Sequence, residues 1–407
     1  QRWDAAARAA YYRDNKLLPM PPASDNPGRD MLRGMAAKQP LLDELKAGNG
    51  RKLSQITPAW SDRPPVKLLL AVPVPYFNPL QETGRTLMYH ARAAAAAGDS
   101  HLAADDIRTM VRLAEGLGHE PTGFHSLVAI TILNMAAEPA WSVLDQRTAD
   151  EASLARLAQC LERIDIRAMV SNAMCGEMAV IAQASETLAG GGASDLMHVL
   201  RPLLSGSSSS LRDRFNDIIS YTIISINRPA TALGNKAVVT DLMLTHVLGP
   251  LETGGLSALR KSAAKLAEED MEQLAPGVFG IMARYSMTGY RGIADRALQV
   301  GARIAQIRIA CALERHFIKH QSYPDNLQSL VPDYLPAIPA DPIDGKPMRY
   351  QKTAARYKLW SLGFDNEDDG GIVKPSPKDF PEHPKLKAAD YPGDWVWSYE
   401  QLVPASK

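Results

Sequence analysis

Apolar residues recur every three or four positions along most of the chain, which is the spacing of one face of an α-helix. The clearest case lies between Gly292 and His320, where Val300, Ile304, Ile307 and Cys311 are spaced four, three and four apart. This pattern predicts one long amphipathic helix over these residues.

The same spacing predicts a series of helices before it, over residues 1–15, 31–47, 82–97, 101–117, 123–144, 150–164, 168–188, 213–227, 236–248 and 256–274. The helix from Gly123 to Leu144 is apolar nearly all round, which predicts the buried centre of a bundle, with a kink at Pro139. Prolines crowd residues 17–27 and 57–79, on either side of the helix over 31–47, and the second stretch is predicted to be extended, packed loop with one edge strand over 66–72.

The pattern changes after Tyr323-Pro324. Short alternating runs at Met348–Gln351 and Tyr357–Ser361 predict antiparallel strands, and Asp344-Gly345 is a hairpin-type turn signal. A polar tail follows, and its Trp395, Trp397 and Tyr399 are predicted to pack it onto the body, although a role in stacking on a sugar or a peptide is the alternative.

These elements predict a mainly α fold. An irregular helical bundle, residues 1–290 with the proline-rich segment 17–80, precedes a small α+β domain over residues 291–373. That domain consists of the long helix and short antiparallel strands, and residues 374–407 form the tail.

Composition excludes several classes of protein. Lys plus Arg and Asp plus Glu are both 45, and so balanced a charge argues against a nucleic-acid binder. Three cysteines are too few for a disulfide scaffold. Cys160 and Cys175 either pair in an oxidising compartment or stay as free thiols on neighbouring helices.

No segment is predicted to span a membrane. The longest uncharged apolar stretch, Pro121–Ala137, is interrupted by Pro121, Thr122, Gly123, Ser126 and Asn134, whereas a spanning helix needs about 20 predominantly apolar residues. The chain begins at Gln1 rather than Met, so we expect an N-terminal targeting or anchor segment to have been removed.

The C-terminal part carries motifs in a distinctive order. They lie in Ala312–Pro336 (ALERHFIKHQSYPDNLQSLVPDYLP), Ile338–Tyr350 (IPADPIDGKPMRY) and Tyr357–Gly371 (YKLWSLGFDNEDDGG). A helix ends in Tyr-Pro, a Leu-Val segment and a Leu-Pro follow, then an Asp-Pro turn with an Arg-Tyr strand, and finally a Ser-Leu-Gly acidic loop. In this order, residues 292–371 resemble the globular part of the major pseudopilin of bacterial type II secretion systems.

That resemblance implies a calcium ion in the acidic loop. The expected ligands are the Leu362 carbonyl, Asp365 and one of Asp368 or Asp369. The loop chemistry agrees, because calcium takes six to eight oxygen ligands and the glycines around the acids let the backbone curl. Such an ion would be structural, and the alternative is a solvated acidic turn without metal.

The helix of the resembling stretch departs from a pseudopilin. It carries Arg296, Arg303 and Arg308, and charges of this kind make a lipid-embedded helix implausible. The whole chain also resembles large bacterial envelope proteins that have one N-terminal anchor, a helical region and this C-terminal module. We therefore expect an exported protein of the periplasm or cell envelope, anchored through an N-terminal segment outside this chain.

The function expected from these features is a non-enzymatic scaffold or binding module, with a protein partner in the envelope and an association with secretion. The alternative is a hydrolase, or a binder of glycans or small molecules, with its site in the helical domain. GxSxG, GxxxxGK[ST], GxGxxG and CxxC motifs are all missing from the sequence, so no catalytic residue is predicted.

Three further groups of residues are compatible with a site but are better explained by structure. His316 and His320 are spaced to share a metal, yet helix-end histidines are usually solvated. The residues His119, Glu120 and His125 surround a predicted helix start, where capping and packing of the turn explain them. Glu177, on an apolar helix, is expected to be buried and paired with an arginine.

Overall fold

The computed structural model describes residues 5–51, 77–190, 227–269, 271–275, 277–280, 283, 287, 290–372 and 393–399. The longer helices in chain order are α1 (Ala5–Asp14), α2 (Pro27–Gly34), α3 (Gln39–Gly48), α4 (Phe77–Ala96), α5 (Ser100–Gly118), α6 (Gly123–Gln146), α7 (Glu151–Glu162), α8 (Ile166–Gly190), α9 (Arg228–Met243), α10 (Gly249–Glu268) and, after the one-turn α11 (Met271–Leu274), α12 (Tyr290–His320). The strands are β1 (Arg349–Lys352), β2 (Tyr357–Ser361) and β3 (Trp395–Ser398). The prediction of a mainly helical chain with a small antiparallel unit is confirmed at this level.

Capping side chains begin the central helices of the bundle. Asp99 accepts a hydrogen bond from the Leu102 N–H at the start of α5, and Asp150 accepts one from the Ser153 N–H at the start of α7. Each such bond satisfies a backbone donor that the first turn of a helix leaves without a partner. Helix α4 begins at Phe77, earlier than its pattern predicts, because Pro79 falls in the first turn, where its missing N–H costs nothing.

Helix α6 is the buried centre that its composition predicts. Val128, Ile130, Ile132 and Leu133 are at most 3% exposed, and the helix packs against α4, α5, α8 and α12. It runs through Pro139 and ends at Arg147, whose φ of 53° is left-handed. Among the described residues, α6 is the one helix long and apolar enough to cross a membrane, and most of it is covered by its neighbours.

The boundaries of α9 and α10 differ from the prediction. Pro229 lies in the first turn of α9, which therefore starts before residue 236, and one π-helical turn, Leu244–Leu248, joins it to α10. Within α10, Gly255 has a φ of 67° and interrupts the helical backbone. The helix predicted from Leu256 is thus the part of α10 that follows this break.

Helix α12 has the predicted apolar face, and Val300, Ile304, Ile307 and Cys311 are all buried. It packs on α6, α7 and α10 of the bundle as well as on β2. Its charged side chains bind those bundle helices: Arg308 pairs with Glu162 of α7 at 3.2 Å, and Asp295 pairs with Arg260 of α10 at 2.7 Å. Arg308, one of the arginines that the sequence places on this helix, is therefore held by a protein partner.

The sheet is antiparallel in the order β1-β2-β3. β2 has the predicted bounds, β1 begins one residue later than predicted, and β3 lies within the stretch interpreted as a polar tail. Leu359 of β2 faces Tyr350 on one side and Trp397 on the other. The sheet and the bundle share one continuous hydrophobic core, which runs from Leu87 and Ile132 to Leu359 and Trp397.

Three sequence-based expectations fall outside the described residues. They are the edge strand over 66–72, the helix over 213–227 and most of the tail after residue 373.

Close packing of α8 gives a test of this fold. A Cβ at Gly176 would lie 1.9 Å from the carbonyl oxygen of Pro121, so Gly176→Ala requires the backbone to move. We expect a loss of about 1–3 kcal/mol in the free energy of unfolding, measured by urea denaturation. Gly292→Ala in α12 is the matched control, because a Cβ there meets nothing within 4 Å. Equal stabilities for the two variants would contradict the contact between α8 and Pro121.

Candidate functional site

The acidic loop, residues 362–371, follows β2 and is hydrogen-bonded to Gly393 and Asp394, which precede β3. Gly363, Gly370 and Gly371 have φ of 70°, 70° and 72°, which glycine adopts without the steric cost of a side chain. Asp365 lies at the centre of the loop, where its Oδ1 accepts the Glu367 N–H at 3.3 Å and its Oδ2 accepts the Gly393 N–H at 2.7 Å. Asp365 therefore ties the loop to Gly393, two residues before β3.

Asp368 turns towards the sheet. Its Oδ1 accepts hydrogen bonds from Trp360 Nε1 at 2.9 Å and from the Gly370 N–H at 3.0 Å, and its Oδ2 lies 3.5 Å from Arg349 Nε. The Trp360 hydrogen bond is the main reason that the pKa of Asp368 is lowered. This carboxylate is already well satisfied by protein donors.

Asp394 is an acid of this loop that the sequence analysis missed. Its side chain is buried, its Oδ2 accepts the Gly371 N–H at 2.7 Å, and its Oδ1 is buried without a hydrogen bond to any described residue. Burial, together with the negative charges of Asp368 and Asp369, raises the pKa of Asp394 to about 6. The Gly393-Asp394-Trp395 sequence, glycine and acid before an aromatic strand, was the available signal.

The donor set of this loop fits a hard cation. Carboxylate and carbonyl oxygens are the ligands that calcium prefers, and a buried carboxylate oxygen without a hydrogen bond is costly unless a cation or donor faces it. Among the described residues, however, no three His, Cys, Asp or Glu side chains are gathered around one point as a metal site.

A second buried polar cluster surrounds Glu314 of α12, to which the sequence analysis gave no role. Glu314 Oε1 accepts hydrogen bonds from the hydroxyls of Tyr323 at 2.8 Å and Tyr357 at 3.2 Å, and its Oε2 lies 3.5 Å from Arg147 Nε. Burial raises the pKa of Glu314, and the hydrogen bond from Tyr323 opposes that rise. The cluster joins the end of α6, α12 and β2.

The aromatic residues around β3 extend this cluster. The Tyr399 hydroxyl lies 3.0 Å from that of Tyr357, and the Tyr399 ring stacks on Trp141 of α6 at 5.7 Å. Trp397 and Tyr399 are buried and Trp395 is partly buried, so these side chains pack onto the body as expected.

Glu177 is held by a helix end rather than by the expected arginine. Its Oε1 accepts the Gly123 N–H at 2.8 Å, at the start of α6, where backbone donors and the helix dipole favour a negative charge. Burial nevertheless raises its pKa.

The histidine candidates have structural neighbours. The rings of His316 and His320 lie 4.4 Å apart, and His316 Nδ1 is 2.9 Å from the Ser322 carbonyl oxygen. At the start of α6 the cap is Thr122, which accepts the His125 N–H at 3.3 Å, while burial lowers the pKa of His125. Glu120 is buried in the same turn.

Cys160, Cys175 and Cys311 are free thiols, so Cys160 and Cys175 do not pair and the free-thiol alternative is confirmed. Cys175 is exposed, whereas Cys160 is partly buried on α7 and Cys311 is buried on α12. Burial raises the pKa of Cys311, and the neighbouring Cys160 adds to the rise.

The bundle also contains a buried histidine–carboxylate pair that no sequence motif predicts. His90 Nδ1 of α4 lies 2.6 Å from Asp106 Oδ2 of α5, and Lys46 Nζ of α3 lies 2.7 Å from Asp106 Oδ1. A carboxylate that binds Nδ1 fixes the orientation of an imidazole, as in hydrolase triads, but here it also joins three helices.

The chain matches no protein-family model, no curated protein and no solved structure.

We expect Glu314→Gln to change how stability depends on pH. Because burial raises the pKa of Glu314 above the ordinary 4.5, the folded state holds this proton more tightly than the unfolded chain does. Ionisation of Glu314 therefore withdraws stability as the pH rises above 4.5. The free energy of unfolding is measured by urea denaturation between about pH 4 and 8. As pH rises, the value for the wild type should fall relative to the value for Glu314→Gln. Glu151→Gln, at an exposed position of α7, is the control. Parallel curves for wild type and Glu314→Gln would show that Glu314 titrates normally.

Proposed function

We propose that this chain is an exported, non-enzymatic protein of the cell envelope, a scaffold or binding module whose C-terminal unit is pseudopilin-like and stabilised by calcium. The observation that carries the proposal is the acidic loop, which closes on the buried Asp394. The succession of long helix, Asp-Pro turn, two strands and acidic loop supports the resemblance on which the rest of the proposal depends.

The calcium ligands in this proposal are the Leu362 carbonyl, Asp365, Asp369 and Asp394. Of the two acids left open by the sequence, Asp369 is preferred because Trp360, Gly370 and Arg349 already hold Asp368. A bound cation would offset the repulsion between Asp394 and the neighbouring acids, which is the chemistry that calcium supplies here.

An envelope address and a protein partner there belong to the same proposal. Arg303 and Arg308 of α12 bind Asn134 of α6 and Glu162 of α7, which supports a helix that stays within the protein and does not enter a bilayer. Membrane attachment would then depend on an N-terminal segment outside this chain, and the association with a secretion apparatus follows from the resemblance. Small-molecule binding is a second candidate function, favoured by an apolar cavity beside Glu314.

Calcium should raise the thermal stability of the wild type. A ligand at about 100 times its dissociation constant adds about 2.7 kcal/mol to the folded state, which corresponds to several degrees in Tm. The measurement is differential scanning calorimetry with calcium and with a chelator, on the wild type, Asp365→Ala and Asp394→Asn. We expect both variants to lose the response to calcium.

Glu367→Gln is the matched control for the calcium experiment, because it removes one charge from the same loop at an exposed position. It should respond to calcium as the wild type does. A wild type that does not respond, or an Asp394→Asn variant that still does, would contradict the proposed site.

The proposed location in the cell envelope is tested separately. The natural gene, with whatever precedes this chain and with a C-terminal tag, is expressed in a bacterium and the cells are fractionated. We expect the tag in the envelope fraction, degraded by protease added to spheroplasts, while a cytosolic marker enzyme stays intact. A protected tag that co-fractionates with the marker would overturn the envelope assignment and leave the calcium result standing.

A further inference from the structure

A cavity of about 170 Å³ lies where the ends of α6 and α12 meet α7. Its apolar lining residues are Val143, Leu144, Ala149, Leu154, Phe317 and Ile318, and its polar ones are Arg147, Glu314 and Gln321, whose Nε2 donates to the Ile318 carbonyl. The cavity is therefore amphipathic, with an apolar body and one charged corner.

The volume limits what can bind. A dry apolar cavity of about 150 Å³ accommodates a molecule the size of benzene. A cavity of 170 Å³ has room for one ring or a short branched chain, and it is too small for a peptide or an oligosaccharide. Ile318, 42% exposed, lines this cavity near the surface, so a substitution there can obstruct it without disturbing the core.

Arg147 is held in place at the polar end. Its guanidinium carbon lies 4.5 Å from the centre of the Phe317 ring, its Nη2 donates to the Tyr323 hydroxyl, and its Nε faces Glu314. Its left-handed backbone at the end of α6 sets the direction from which the side chain enters. Among the described residues, Nη1 has no hydrogen-bond acceptor, and it remains to donate to a ligand.

The two charged groups of the cavity, Glu314 and Arg147, determine which charge a ligand can carry. The Glu314 carboxylate already accepts two tyrosine hydroxyls and faces Arg147 Nε, so it has little capacity left for a cation. The donor still available is the guanidinium, which favours an acceptor, and a carboxylate most of all. The aromatic and aliphatic wall favours an apolar group attached to that carboxylate.

We propose that this cavity binds a small carboxylic acid, whose single ring or short branched chain fills the apolar part and whose carboxylate accepts hydrogen bonds from Arg147. The site combines residues of the bundle and of α12, so it depends on the junction between them. It requires neither calcium nor the acidic loop, and a failure of the calcium proposal would leave it intact.

The test uses the whole chain with benzoate as probe and the isosteric neutral benzamide and the cation benzamidine as controls, in saturation-transfer NMR and titration calorimetry. We expect benzoate to bind in the millimolar range, at least about tenfold more tightly than either control, since a charged partner is worth about one decade or more. Benzoate binding no tighter than benzamide would overturn the proposal.

Two variants locate the site. Ile318→Trp should obstruct the cavity and weaken benzoate binding at least about tenfold, whereas Ile372→Trp, at an isoleucine that is also exposed but does not line the cavity, should bind as the wild type does. Arg147→Lys should lose the preference for benzoate over benzamide, because an ammonium lacks the planar fork of donors. Unchanged binding to folded Ile318→Trp would show that benzoate binds elsewhere, and the proposal would fall.

Discussion

The burial of one carboxylate organises the junction between the bundle and the sheet. Glu314 lies inside the core, where an ionisable group is costly unless donors surround it. Those donors come from three places: Arg147 at the end of α6, Tyr323 after α12, and Tyr357 in β2. Since each must approach within hydrogen-bonding distance of the same side chain, satisfying Glu314 fixes where the sheet can lie on the bundle.

The aromatic residues transmit that constraint outward. Tyr357 contacts Tyr399, Tyr399 stacks on Trp141, and the Trp141 Nε1 donates to the Ser398 carbonyl at 3.1 Å. Strand β3 is thereby bound to α6 as well as to β2. The acidic loop begins at the end of β2 and binds Gly393 and Asp394 just before β3, so the contacts that satisfy Glu314 also position the strands on which the loop depends.

The sequence predicted those features that depend on local periodicity. The apolar face of α12, the burial of α6 and the bounds of β2 all follow from repeats within one element. Partners distant in the chain could not be read in this way. Asp394 closes a loop whose other acids lie far before it, Glu177 uses a backbone donor instead of an arginine, and β3 is recognisable as a strand only once β2 is beside it. Glu314 could not be identified for the same reason. The position of this acid on a helix indicates that it is buried, but its donors are distant in the sequence.

Helix α12 has 31 residues and is about 46 Å long. One side of this helix packs on the sheet that follows it in the chain, and the other sides pack on α6, α7 and α10. A point in the sequence at which a new motif begins is therefore not a point at which the molecule can be divided. A C-terminal fragment that begins with this helix would expose Ala294, Leu298 and Ile309 to solvent. The N-terminal fragment would in turn expose the apolar surface that packs against this helix. A recombinant fragment keeps an intact hydrophobic core only if it contains the bundle, α12 and the sheet together.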